Sequence, residues 1–140
     1  MIGDNRGQVS FEYLLIFAVS LIILIVFTMP LVTQSVETAL DVSDCIKIKD
    51  DMSKIALSVS SVYGEGQGSK QTITIYSANS FNVNVAGEYL SCNVKLNNGE
   101  NKLIKVSCKS NLKSSSIDIG KGENTVVVEW PKDSEKMIIY

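Results

Sequence analysis

The sequence predicts an α+β protein. A long N-terminal helix, membrane-spanning in its first half and amphipathic in its second, kinks near Pro30 and packs on a small antiparallel β-sheet or sandwich. Three observations carry this prediction. The chain holds no charged residue from Tyr13 to Val36. Apolar residues then recur every three or four positions from Val36 to Val62. After residue 70 they alternate with polar ones in short runs bounded by turn residues.

The apolar run comes first. YLLIFAVSLIILIVFTMPLVTQSV is dominated by Leu, Ile, Val and Phe. As a helix it extends about 36 Å at ~1.5 Å per residue, enough to cross a hydrocarbon core of about 30 Å. A secretory signal has a shorter apolar region, roughly 7–15 residues, ending at small residues. This run is longer and passes through Thr28-Met29-Pro30-Leu31, so a retained membrane helix is the expectation. Pro30 lacks an N–H and crowds the preceding turn, which predicts the kink. Glu12 stands at the entrance of the run. A carboxylate there is either a headgroup-level residue favoured by the helix dipole or the partner of a cation brought by assembly.

The periodic segment follows. Val36, Ala39, Val42, Cys45, Ile48, Met52, Ile55, Val59 and Val62 form one stripe of a helix, with Glu37, Asp41, Asp44, Lys47, Asp50, Asp51 and Lys54 mostly off it. Gly64-Glu-Gly-Gln-Gly-Ser69 ends this helix and reads as a hinge. It lacks the spacing of a phosphate-binding loop and follows a helix rather than a strand, so no nucleotide is expected.

Beyond the hinge the chain reads as about six or seven short strands. Thr72–Tyr76, Phe81–Val85, Leu90–Leu96, Ile104–Cys108, Leu112–Ile119, Thr125–Trp130 and Met137–Tyr140 are the candidates. Asn98-Gly99 turns a hairpin. If paired residue numbers sum to 200, Leu96 faces Ile104, Val94 faces Val106 and Cys92 faces Cys108. A disulfide between Cys92 and Cys108 is then one expectation for an exported domain, and three buried free thiols are the other. Cys45, on the helix stripe, competes for either partner.

Composition removes most chemistry. The chain has no histidine, which excludes Ser-His-Asp and Cys-His catalysis and His-ligated zinc or haem. No two cysteines form a C-x-x-C pair. A net charge of −2 argues against nucleic acid as a partner. Asp50 and Asp51 diverge by about 100° around a helix and do not converge on a substrate. Ser114-Ser115-Ser116 reads as a polar strand or turn, and Ser58, Ser60 and Ser61 as solvated helix residues. We expect no enzyme, no catalytic residue, no cofactor and no metal.

Arg6-Gly7-Gln8-Val9-Ser10-Phe11-Glu12-Tyr13-Leu14, followed by the apolar run, resembles the class III signal peptide of archaeal type IV pilin-like proteins. The resemblance covers about residues 6–30, and the stretch 41–70 resembles archaeal members less specifically. It departs in one place: the leader carries a single basic residue, Arg6. The resemblance implies that a prepilin peptidase cuts between Gly7 and Gln8 and that the apolar helix stays with the mature chain. It also implies that Glu12 sets subunit register against a neighbour's new N-terminal amine.

The resulting organisation is a cleaved leader over residues 1–7, a transmembrane and assembly helix over 8–36 and its amphipathic continuation over 37–63. A Gly-rich hinge over 64–70 and an extracellular β-domain over 71–140 complete it. The implied function is a major or minor pilin of a surface filament, with other pilin-like subunits as partners. Before assembly the chain is a single-pass membrane protein, N-terminus cytoplasmic. The alternative is a membrane-anchored extracellular binding domain that never polymerises.

Overall fold

The computed structural model describes the backbone of residues 6–140 and their side chains except those of residues 6–9, 109 and 110. The first five leader residues lie outside the described residues. One helix, α1 (Arg6–Glu65), precedes five strands. These are β1 (Lys70–Ser77), β2 (Phe81–Lys95), β3 (Asn101–Ile119), β4 (Gly122–Glu129) and β5 (Ile138–Ile139). The chain forms two compact units, residues 1–39 and residues 40–140, and α1 contributes to both.

In the first unit α1 runs through Pro30 without interruption. In the second unit it packs on two small antiparallel sheets. One has the order β1-β4-β5, and the other is the β2-β3 hairpin. A parallel bridge between Leu112 and Met137 joins the sheets. There the N–H of Lys113 donates to the Met137 carbonyl at 2.8 Å, and the N–H of Met137 donates to the Asn111 carbonyl at 3.2 Å.

The core explains the pattern of the sequence. Cys45, Ile48, Met52, Ile55, Val59 and Val62 of α1 are buried with Ile75, Leu90, Leu112, Val126, Val128 and Ile139 of the strands. Each fully buried aliphatic side chain contributes about 1.5–3 kcal/mol relative to exposure. The stripe is buried only from Cys45 onward: Val42 is 47% exposed.

The strands are fewer and longer than the alternation suggests. Phe81, Val83 and Val85 point to the core at odd numbers, whereas Leu90 and Cys92 do so at even numbers. Register shifts flank Gly87, whose φ of +58° suits a glycine. The irregularity moves the core face from one parity to the other, so β2 stays one strand.

The hairpin register differs from the expected one. Cys92 faces Ile104, Leu90 faces Val106 and Lys95 faces Asn101, so paired numbers sum to 196. The loop decides this. Asn97, Asn98 and Gly99 form a three-residue connection in which Gly99 takes a φ of +84°. The Gly99 N–H donates to the Leu96 carbonyl at 3.0 Å, and the Leu96 N–H to the Glu100 carbonyl at 2.8 Å. Cys108 therefore lies four residues beyond the partner of Cys92. Cys45, Cys92 and Cys108 are all free and buried.

The segment read as a Gly-rich hinge, 64–70, begins as the last turn of α1 and ends as the first residue of β1. Between them the turn is fastened to the β4 exit. Gly68 N–H donates to the Trp130 carbonyl at 2.7 Å, and Trp130 N–H to the Ser69 carbonyl at 2.9 Å. The Ser69 hydroxyl reaches the Val62 carbonyl at 2.9 Å.

Candidate functional site

The apolar half of α1 presents hydrocarbon on every side. Its large apolar side chains from Phe11 to Val32 range from 43% exposed at Leu21 to 72% at Phe27. This is the chain's one described helix long and apolar enough to cross a membrane. Five of its hydroxyls are satisfied within the helix. The hydroxyls of Ser20, Thr28, Thr33 and Ser35 donate to the carbonyls of Ile16, Leu24, Met29 and Leu31 at 2.8, 2.7, 3.1 and 2.8 Å. Thr38 does the same to Gln34 at 2.9 Å. Each bond spans four residues, so these five hydroxyls need neither water nor a neighbouring chain. The sequence displayed these residues, but spacing alone did not reveal the back-bonding.

Glu12 lies on α1, exposed, at the start of this surface. Three ion pairs occur among the described residues: Asp44–Lys47, Asp51–Lys54 and Lys70–Glu129. Glu12 belongs to none of them. Gly7 and Gln8 are helical in backbone, and their side chains fall outside the described residues. Pro30 sits inside α1, twelve residues short of Val42, where the second unit has already begun.

The remaining sequence candidates are held by structural contacts. Asp51 is buried and accepts from the Lys54 ammonium at 2.9 Å, while Asp50 is exposed. That hydrogen bond raises the Lys54 pKa, against a smaller opposing effect of burial. Ser58 is buried rather than solvated, because the helix face that carries it turns into the core. Ser116 donates to the Asn82 side chain at 2.9 Å on the exposed face of the hairpin. Burial raises the thiol pKa of Cys92 and Cys108, with a smaller contribution at Cys92 from neighbouring Cys45. Among the described residues, no three of His, Cys, Asp or Glu are grouped to hold a metal ion.

Two contacts in the second unit were not anticipated. Asp41 receives the backbone N–H and the side-chain amide of Asn97 at 3.0 and 2.8 Å, which fixes the hairpin loop against α1. Tyr63 stacks on Trp130 near the end of α1.

A family model described as Class III signal peptide matches residues 5–31, the stretch that holds Gly7, Gln8, Glu12 and most of the apolar surface. No curated protein and no solved structure matches the chain. A class III signal peptide implies processing by a prepilin peptidase, and the apolar helix behind it suits membrane anchoring. Residues 5–31 thus carry a class III signal peptide, and the α+β architecture, one long N-terminal apolar helix with small antiparallel sheets, is consistent with a pilin-like fold.

Proposed function

We propose that the chain is a structural subunit, major or minor, of an archaeal type IV pilus-like surface filament. The observation that supports this reading best is the uncharged helix surface from Tyr13 to Val36, exposed all round, with its Ser and Thr hydroxyls bonded internally. Lipid suits such a surface while the chain is anchored. Once the helix leaves the bilayer, only bundling with similar helices removes it from water.

In this reading a prepilin peptidase cleaves between Gly7 and Gln8. The new amine of one subunit then meets Glu12 of a neighbour in a low-dielectric core, where an unpaired charge is strongly destabilising. The β-domain faces the exterior, and the protein acts as scaffold rather than catalyst. Mechanical shearing of cells that carry the filament machinery tests this. The chain should pellet with high-molecular-weight surface material; recovery from the membrane alone would favour an anchored binding domain.

A further inference from the structure

A groove within the second unit carries charge that filament assembly does not use. It has a volume of about 340 Å³ and runs between α1 and β3. That is the small end of the range for ligand clefts, roughly 300–1,000 Å³. Cys45 and Ile104, both buried, form its floor. Val42, Ile46 and Leu103 give it aliphatic walls and are 47%, 62% and 52% exposed.

Three lysines, Lys49, Lys102 and Lys105, complete the lining, and no acidic residue contributes to it. None of the three belongs to an ion pair among the described residues. Lys105 lies over the Tyr89 ring, 5.2 Å from its centroid, which leaves its charge without a carboxylate. The strand backbone adds donors. Leu96 and Glu100 are a hydrogen-bonded pair, so the alternation of an antiparallel ladder turns the N–H groups of Leu103 and Lys105 away from β2. Among the described residues no other strand pairs with β3 at those two positions.

The chemistry that fits such a groove is an anion joined to hydrocarbon. A bare anion leaves the aliphatic walls in water, and an uncharged alkane makes no use of the three cations. A bilayer concentrates molecules of this kind beside the chain. Val42 is six residues beyond Val36, where the uncharged run ends, and six residues of chain reach no more than about 22 Å. Lysines tethered that close to a bilayer are drawn to anionic headgroups. We propose that the groove binds an anionic membrane lipid, its headgroup among Lys49, Lys102 and Lys105 and its first chain carbons against Ile46 and Leu103. The inference rests on membrane anchoring of the apolar helix and not on polymerisation.

The test uses the full-length protein in nanodiscs of phosphatidylcholine, with or without phosphatidylglycerol. Lysines are labelled with a water-soluble amine reagent and quantified by peptide mass spectrometry. Phosphatidylglycerol should slow labelling of Lys49, Lys102 and Lys105 about tenfold and leave Lys121 and Lys132, exposed outside the groove, unchanged. Lys102→Gln with Lys105→Gln should abolish the protection of Lys49, whereas Lys102→Arg with Lys105→Arg should keep it. Leu103→Asn should weaken the protection severalfold, because the hydrocarbon contact is lost while every charge stays. Equal labelling of the three lysines in both kinds of nanodisc overturns the site. Uniform slowing at all lysines, indifferent to Leu103→Asn, overturns it in favour of general surface attraction. Free glycerol phosphate added to phosphatidylcholine nanodiscs should give no protection; protection equal to that by phosphatidylglycerol overturns the lipid assignment in favour of a soluble phosphate. None of these outcomes depends on filaments, so failure of the site leaves the filament reading intact, and failure of the filament reading leaves the site intact.

Discussion

Tyr63 and Trp130 stack with ring centroids 5.5 Å apart and planes 5° from parallel, joining the end of α1 to the exit of β4. Trp130 also donates its indole N–H to the Ser134 carbonyl at 2.9 Å and holds the Gly68–Ser69 turn through its backbone. One residue thus ties the helix, the turn and the β4-β5 connection together.

Trp130→Ala should destabilise the second unit by about 3 kcal/mol, from lost burial, stacking and the indole hydrogen bond. Trp130→Phe should retain more than half of that stability. Trp130 is the chain's only tryptophan, so its fluorescence during denaturant unfolding of the detergent-solubilised protein reports the transition directly. Equal midpoints for wild type and the alanine variant, the latter followed by circular dichroism, would contradict the role.

Asp41→Ala removes the acceptor of the Asn97 backbone and side-chain N–H groups. The expected loss is about 1–2 kcal/mol, with hydrogen exchange rising at Asn97–Gly99 while the β1-β4 ladder keeps its protection. Uniform loss of protection across both sheets would mean that Asp41 supports the whole fold instead of one loop.

The cysteine arrangement predicts three thiols and no disulfide. Intact mass after alkylation in denaturant should show three adducts without prior reduction, and native protein should react slowly at Cys92 and Cys108 because burial raises their pKa. The sign for stability follows. In the unfolded chain these thiols lose protons near pH ~8.5, before they do in the fold. Their contribution is therefore fully present below that pH and declines as pH rises through the raised folded values. A stability that increases from pH 8 to pH 10 in a Cys92→Ser-sensitive manner would contradict this.

The helical half of the fold was legible because its signals are local. An uncharged run and a 3.6-residue stripe need no knowledge of distant partners, and α1 is found close to where they end. The strands were harder. Val85 and Leu90 face the same core at opposite parity, so one bulged strand read as two. The hairpin partner of Cys92 depended on Gly99 closing a three-residue loop, a choice that Asn98-Gly99 alone does not dictate. Of the candidate site, Gly7, Gln8 and Glu12 were legible as a contiguous string. The Asp41–Asn97 contact spans 56 residues and has no local signature.

Glu12→Gln separates assembly from folding. It keeps the side-chain shape and removes a charge from the apolar boundary, so membrane insertion should be unharmed or easier. If Glu12 meets a neighbour's amine, the ratio of sheared to membrane-bound protein should fall about tenfold or more, since the amine is left unpaired in the filament core. An unchanged ratio at equal expression and equal leader cleavage would sink the assembly role of Glu12.

The central claim is that a class III leader is removed and the exposed apolar helix is then retained in a filament. Mass spectrometry of the intact chain from sheared surface filaments tests it most directly, with mapping of its N-terminal peptide. The account predicts a chain beginning at Gln8 and continuing unbroken through Pro30 to the β-domain. A chain in that fraction that still begins at Met1, or that begins beyond Pro30 with the apolar helix lost, would contradict it.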